Sequence, residues 1–514
     1  MKKIKVYHPF LYAIFSALFL YSHNIEQVTA QDVLLPFTAI MIFTFLAYWL
    51  LKFVMRDAQK AGIILTFGII IFFAYGQIYE EVRYLEIGEL RVGRHRFLLP
   101  IIFGVYGVIG LITLMGSKFN PVLTNFLNIT SGVLVLLTFS NIIIYSISSH
   151  GSADNLYQSK IEISSSSNQV DVALLPDVYY IIPDGYASNS TLKDYYGFDN
   201  TPFIDYLKEK GFYVAETSHS NYSHTPISIS SSLNMTYLEF IPEQLGESSL
   251  DPSISYEMIR NNKVSQFLKE KGYKFVLIKS GWSPTSNNKY ADIKVNTSQY
   301  NGYLKVLVHT TLLVVIERKL IVMDWHRDTI KKTFEELRNV HKIEGPKFVL
   351  SYIGSPHPPY LFGANGEELS PEVIAFGANI WVPRESYLGQ LQYITAQLKS
   401  VIEEIQTNSK RPAIIVIQAD HGPAAMGEWD NPSDDFLHER LGILNTFYLP
   451  GKSSHNLYPS ITPVNSFRAV FNAFFNAGFE MLEDKVYYSN IPTPLKFVDI
   501  TDIVSNNTDK KTDE

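Results

Sequence analysis

Long, almost uninterrupted apolar runs dominate the first 150 residues, and short apolar runs closed by turn residues dominate the rest. The long runs lie at roughly 9–22, 33–54, 62–79, 97–115 and 131–148. A helix needs about 20 apolar residues, and at least about 17, to cross the hydrocarbon core of a bilayer. The last four runs reach that length, and the first, PFLYAIFSALFLYSHN, is marginal. These runs lack the polar stripe of a soluble amphipathic helix, so the pattern predicts five transmembrane helices over residues 1–150. Lys2, Lys3 and Lys5 precede the first run, as they would in a signal peptide. No small-residue cleavage site follows at the right place and further spans come next, so it is read as an uncleaved span.

Residues 151–175 are Ser-rich, polar and without helical period, and are read as a linker. From 176 the runs shorten: DVYYIIPDG (177–185), YKFVLIKSG (273–281), KFVLSYIGS (347–355), AIIVIQADHG (413–422) and ILNTFYLPG (443–451). Helical patterns lie between them, at 203–211, 264–272 and 387–405. Alternating strands and helices predict a soluble α/β/α sandwich over 176–500 with a mainly parallel central sheet. The stretch VLVHTTLLVVIERKLIVMDWHRDTIKKTFEELRNV fits neither pattern; its apolar part suits a membrane-surface helix or a lid. The polar tail, 501–514, is expected to be disordered.

Charge separates the same two parts. Residues 1–150 carry 11 Lys/Arg and 7 Asp/Glu, while 151–514 carry 32 and 43. The acidic second part gives no support to nucleic-acid binding, which needs a concentrated basic face. The absence of cysteine excludes a disulfide scaffold, a thiolate metal site and a cysteine nucleophile. With the N-terminus inside, cytoplasmic segments hold Lys2, Lys3, Lys5, Lys52, Arg56, Lys60 and Lys118. The other side holds Arg83, Arg91, Arg94, Arg96 and Lys160. That bias predicts a multi-pass protein of the cell (inner) membrane with everything after 150 on the periplasmic or extracellular side. The loop RYLEIGELRVGRHRF runs against the rule. Its arginines are either interfacial anchors or, Arg94 and Arg96 among them, a site for an anionic headgroup.

In open α/β sheets, ligands bind outside the carboxyl ends of strands. Asp184 ends the first strand, Asp420 and His421 end the 413–419 strand, and His357 follows the 347–353 strand in SPHPPY. Two aspartates and a histidine make a mixed oxygen and nitrogen ligand set for a divalent ion. Asp-Gly after a strand is equally an ordinary turn, and His357 could simply pack on Tyr360. In SNYSHTPISISSSLNM (220–235) a proline follows Thr225, which places Thr225 at a helix N-cap. A hydroxyl there meets the positive end of the helix dipole, although Thr-Pro is also a common cap.

Strand and acid, hydroxyl at a helix start, histidine, then Asp-His-Gly: this order resembles the alkaline phosphatase/sulfatase superfamily. Five spans followed by such a domain look like its lipoteichoic acid synthase and phosphoethanolamine transferase branch. The resemblance implies an alkaline phosphatase-like fold and one divalent metal ion, Mn²⁺, Mg²⁺ or Zn²⁺, held by Asp184, Thr225, Asp420 and His421. It makes Thr225 the nucleophile and His357 a contact of the substrate phosphate or of a second metal. His438, in FLHERLGILNTFYLPG, matches a later histidine, at a spacing that differs from the branch. The implied activity is metal-dependent transfer of a phospholipid headgroup phosphoryl unit to an envelope glycan or lipid acceptor, through a phospho-threonine. The alternative is a membrane-anchored phosphodiesterase or sulfatase-like hydrolase. Two departures bear on this. Threonine cannot become the formylglycine of sulfatases, and no Arg follows Thr225 or the nearby serines. Pro183 fills the position beside Asp184 where sulfatases carry a second acid, which favours one metal over two.

Overall fold

The computed structural model describes residues 5–25, 28, 30–82, 85–87, 90–116, 120–158, 175–286, 288–297, 302–316, 322–369, 380–451 and 457–505. The chain divides into two compact units. One is Met1–Asn155 with Tyr300–Val322, and the other is Leu156–Gln299 with Met323–Glu514.

The first unit is helical: α1 (His8–His23), α2 (Ala30–Met55), α3 (Ala58–Val82), α4 (His95–Met115) and α5 (Asn120–Gln158). Among the described residues, four helices are long and apolar enough to cross a membrane: Ala30–Met55, Ala58–Val82, His95–Met115 and Asn120–Ser146. With 16 residues α1 is shorter, about 24 Å at 1.5 Å per residue, against a hydrocarbon core of about 30 Å. It is nevertheless built into the unit. The Asn128 side chain of α5 accepts the Tyr7 and His8 backbone N–H groups at 2.9 Å each, tying the start of α1 to a helix 120 residues further along the chain. α5 runs to Gln158, through the start of the expected linker, because an established helix adds residues at little cost. The expected linker residues 159–174 lie outside the described residues. The unit also contains a helix from the later sequence, Gly302–Thr310.

The second unit is built on a seven-stranded sheet of β1 (Asp177–Pro183), β2 (Phe212–Val214), β3 (Lys274–Ile278), β4 (Ile293–Val295), β5 (Lys347–Ile353), β6 (Ala413–Gln418) and β7 (Asn445–Tyr448). Their order across the sheet is β2-β7-β6-β1-β5-β3-β4. β6, β1, β5, β3 and β4 are mutually parallel, whereas β7 runs antiparallel to both of its neighbours. The central strands read as continuous apolar runs because both faces are covered. Tyr179, Ile181, Val349, Ile415 and Ile417 enter one core, and Val178, Tyr180, Ile182, Leu350 and Val416 enter the other. The short edge strands β2 and β4 carry no such run and escape a reading by pattern.

β1 lies at the centre of the sheet between the parallel strands β6 and β5, and the carboxyl ends of all three stand side by side. The register aligns the chemistry there. Ile181 pairs with Ile417, so three residues further along each strand stand Asp184 and Asp420. Within the tail expected to be disordered, Thr501–Ser505 is helical. Asp499 accepts from the Thr501 backbone and hydroxyl, at 3.0 and 2.6 Å, and Val504 is buried in the core. The expected tail residues 506–514 lie outside the described residues.

Candidate metal centre

Asp184, Asp420 and His421 are 3%, 2% and 1% exposed, and one ligand atom from each lies within 4.8 Å of the others. His421 Nε2 stands 3.5 Å from Asp184 Oδ1 and 3.4 Å from Asp420 Oδ2. His421 Nδ1 donates to the carbonyl of Gly422 at 2.9 Å, so the proton sits there and the Nε2 lone pair faces the carboxylates. The other carboxylate oxygens are occupied: Tyr352 donates its hydroxyl to Asp184 Oδ2, and the Gly185 N–H donates to Asp420 Oδ1 at 3.2 Å. Asp184 Oδ1 and Asp420 Oδ2, the two that face His421, have no hydrogen-bond partner. Buried polar atoms are almost always paired. Two carboxylate oxygens and an imidazole lone pair pointing at one another, without a proton among the donors to join them, fit a divalent cation.

Charge agrees. Burial pushes the Asp184 and Asp420 carboxyls up, and the Asp184 charge pushes Asp420 further, while Arg440 pulls both partly back. Burial holds His421 neutral, well below the ordinary imidazole value. A cation would discharge this cost.

Thr225 meets the cluster at its open side, with its hydroxyl 2.9 Å from His421 Nε2. It is the first residue of the helix Thr225–Asn234; His224 takes the N-cap position expected for Thr225. Pro226 in the first turn fixes the helix start. Ser220 and Ser228, on either side, both donate to the Asp420 carbonyl and tie this segment to β6. His357 joins through the loop after β5, with its ring 6.2 Å from that of His421 and 4.7 Å from that of Trp381. Its Nδ1 lies 2.6 Å from the Pro358 carbonyl and so carries the proton, leaving Nε2 as an acceptor. Burial lowers its pKa to about 4.

The remaining expected residues lie elsewhere. His438 points away from the cluster, beside His219, into a separate cavity of about 530 Å³. Arg94 and Arg96 are exposed in the helical unit, Arg94 at the N-cap of α4 and Arg96 over the Phe97 ring.

Pattern reading missed Tyr352, Trp381 and above all Arg440. Arg440 sits two residues beyond His438 on the helix Asp434–Leu441, which turns it towards the opposite side. It is 4% exposed, donates to the carbonyls of Ser223 and Gly422, and lies over the rings of Trp381 and Trp429. The available signal was a charged Glu-Arg pair inside the otherwise apolar run FLHERLGIL.

A model of the family described as Sulfatase matches residues 176–469. Similar solved structures include the C-terminal periplasmic domain of EcEptC from Escherichia coli, with 14% identity over 63% of this chain and 92% of that one and a TM-score of 0.41. The integral membrane protein lipooligosaccharide phosphoethanolamine transferase A (EptA) from Neisseria meningitidis shows 12% identity over 86% and 88% of the chains, with a TM-score of 0.38. The putative sulfatase yidJ from Bacteroides fragilis shows 15% over 60% and 75%, with a TM-score of 0.38. No curated protein sequence matches the chain. The family match spans more than half of the chain and every residue of the buried cluster, and the chain therefore belongs to the sulfatase family.

Proposed function

We propose that the protein transfers the phosphoryl headgroup unit of a phospholipid to an envelope glycan, through a covalent phosphate on Thr225. The observation that carries this reading is the Thr225 hydroxyl at 2.9 Å from His421 Nε2, at the mouth of a cluster with two orphaned carboxylate oxygens. Asp184, Asp420, His421 and the Thr225 hydroxyl would hold one Mn²⁺, Mg²⁺ or Zn²⁺. Bound there, a divalent cation lowers the pKa of a neighbouring hydroxyl and neutralises charge on phosphoryl oxygens.

Thr225 Oγ1 bonds to phosphorus and the bond from phosphorus to the glycerolipid oxygen breaks. The lipid leaves as diacylglycerol, carrying the proton that Thr225 lost. A glycan hydroxyl then attacks phosphorus, and the Thr225 oxygen–phosphorus bond breaks. His357, neutral and with Nε2 free to accept, takes the proton of the incoming hydroxyl and returns it to Thr225. Phosphoryl transfer needs mainly positioning and charge stabilisation, which this rigid, buried frame supplies. Helices of membrane-crossing length suit a donor drawn from the bilayer, and the sequence's charge bias puts the catalytic unit on the periplasmic or extracellular side.

Thr225→Ala tests the nucleophile. The variant is expected to keep its metal and lose turnover of a nitrophenyl phosphodiester; wild-type turnover would remove Thr225 from the reaction. Lipid and glycan mass spectrometry separates transfer from hydrolysis. Diacylglycerol together with a modified glycan supports transfer, and free headgroup phosphate with an unmodified glycan supports hydrolysis.

A further inference from the structure

We propose that residues 302–316 form a re-entrant membrane segment, which the catalytic unit sends into the bilayer beside α1–α3 and takes back on the same face. The chain on both sides, up to Gln299 and from Met323, belongs to the catalytic unit, yet residues 300–322 belong to the helical one. This is the apolar stretch whose sequence suited a membrane-surface helix or a lid. The inference rests on α2–α5 crossing a bilayer and is independent of the reaction proposed above.

Two of its contacts lie well inside the helix ends, at Ala17, six residues before the end of α1, and at Phe72, ten before the end of α3. Tyr303 is fully buried and donates its hydroxyl to the Ala17 carbonyl at 3.0 Å. Leu307 packs with Leu20, Val28 and Val33. After the helix Gly302–Thr310 the chain turns, and the Leu312 N–H donates to the Phe72 carbonyl at 2.8 Å. Phe72 precedes the first acidic residue of α3, Glu80, by eight residues, about 12 Å along a helix. The turn therefore reaches that far below the charged end of α3. Gly76 makes this possible: a Cβ there would come within 2.3 Å of the Thr310 carbonyl carbon. Small residues serve close packing of this kind inside membranes.

Non-helical backbone at membrane depth is tolerated where its polar groups are satisfied within the protein. Here the Thr310 and Thr311 hydroxyls donate to the Val306 and Leu307 carbonyls, at 2.7 and 2.6 Å. The Leu312 N–H goes to Phe72, and the Val314 N–H goes to the Thr311 carbonyl at 3.0 Å. Among the uncovered side chains, Val308, Leu313 and Val315 are half-buried and Ile316 is 42% exposed, while Lys305 and His309 are the exposed polar ones. Lys305 and His309 lie one turn apart on one face, and His309 Nε2 stands 3.8 Å from Glu80 near the end of α3. That is the direction in which long polar side chains reach out of an apolar layer. Apolar side chains around a satisfied backbone, with the polar Lys305 and His309 gathered on one face, fit lipid rather than water.

The chain has no cysteine, so single cysteines can be introduced for spin labelling in the full-length protein reconstituted into phosphatidylcholine vesicles. Val308→Cys and Ile316→Cys are compared with Leu111→Cys on α4 and with the exposed Glu247→Cys. At 308 and 316, as at 111, dissolved oxygen is expected to relax the label more than a water-soluble nickel chelate does, with the opposite order at 247. Chelate-dominated relaxation at 308 and 316 with an oxygen-dominated 111 overturns the proposal. Chelate access at 111 as well would overturn the bilayer reading of the helices beneath it. In a Gly76→Leu background the label at 308 is expected to shift towards the chelate; an unmoved label would mean that α3 does not hold the segment.

Discussion

Two N–H groups of Arg440 converge on the carbonyl oxygen of Ser223, at 2.9 and 2.7 Å, while a third reaches the Gly422 carbonyl at 2.8 Å. Ser223 lies two residues before Thr225, and the Gly422 carbonyl is the one that orients His421. One buried guanidinium therefore fixes the segment of Thr225 to the segment of His421. Arg440→Lys keeps the charge, but a compact ammonium cannot span both carbonyls. Phosphodiester turnover is expected to fall at least tenfold at unchanged metal stoichiometry. Arg440→Met is expected to destabilise as well, by about 1–3 kcal/mol for each buried acceptor left unpaired. Full activity in the lysine variant, measured beside metal content by mass spectrometry, would reduce Arg440 to a source of charge.

Metal affinity should rise with pH. Burial raises the Asp184 and Asp420 carboxyls above the ordinary carboxylate range, so protons compete with the cation into the neutral range. Binding then releases protons, and calorimetry in buffers of different ionisation enthalpy should count them. The sign for the metal-free protein is the reverse. Carboxyls raised in the folded state lend stability that is full below their unfolded values and lost as pH rises through the folded ones. Thermal melts after chelation should therefore fall from mildly acidic to mildly alkaline pH, and added metal should remove the fall. A metal affinity that is flat with pH contradicts this picture of the ligands.

Gly422 admits no side chain. A Cβ there would stand 2.3 Å from the Glu439 carbonyl oxygen and 3.2 Å from that of Arg440. Gly422→Ala is expected to lower stability by about 1–3 kcal/mol, as overpacking does, and to weaken metal binding because the His421 anchor moves. Denaturant unfolding with and without metal measures both. Unchanged midpoints would show that this approach of the two backbones is not tight.

At the amino ends of the central strands β1 and β5, Lys347 Nζ donates to Asp177 Oδ2 at 2.6 Å and to the Ile343 carbonyl at 2.9 Å, with both charged residues buried. Removing one partner of a buried pair costs about 3–5 kcal/mol because the other charge is stranded. Lys347→Met is expected to lose stability of that order while the folded fraction keeps its metal and its kcat. A loss of metal together with stability would tie the two ends of the central strands to one another.

Most of the α/β unit was legible because its information is local. The apolar strand runs, the turn after Asp184 and the Asp-His-Gly at the end of β6 are short-range patterns set by burial on both faces. β2 and β4 were not legible, since three-residue edge strands have too little apolar surface to leave a period. Nor was the direction of β7, because an apolar run reads the same either way. The helical start of the Ser-rich stretch and the helix Thr501–Ser505 were missed because polar composition alone does not end or forbid a helix that its neighbours stabilise.

The sequence alone determined which side chains could do chemistry: Asp184, Thr225, His357, Asp420 and His421 each stand where a strand ends or a helix begins, and those places are set by short-range pattern. Only the tertiary structure decided which of them meet. Strand order brought β6, β1 and β5 side by side, register brought Asp184 level with Asp420, and helix phase turned Arg440 towards the cluster and His438 away from it. It also carried residues 302–316 back among α1–α3. Each of these is a contact between residues far apart along the chain, fixed by the joint packing of many side chains, and no window of sequence contains it.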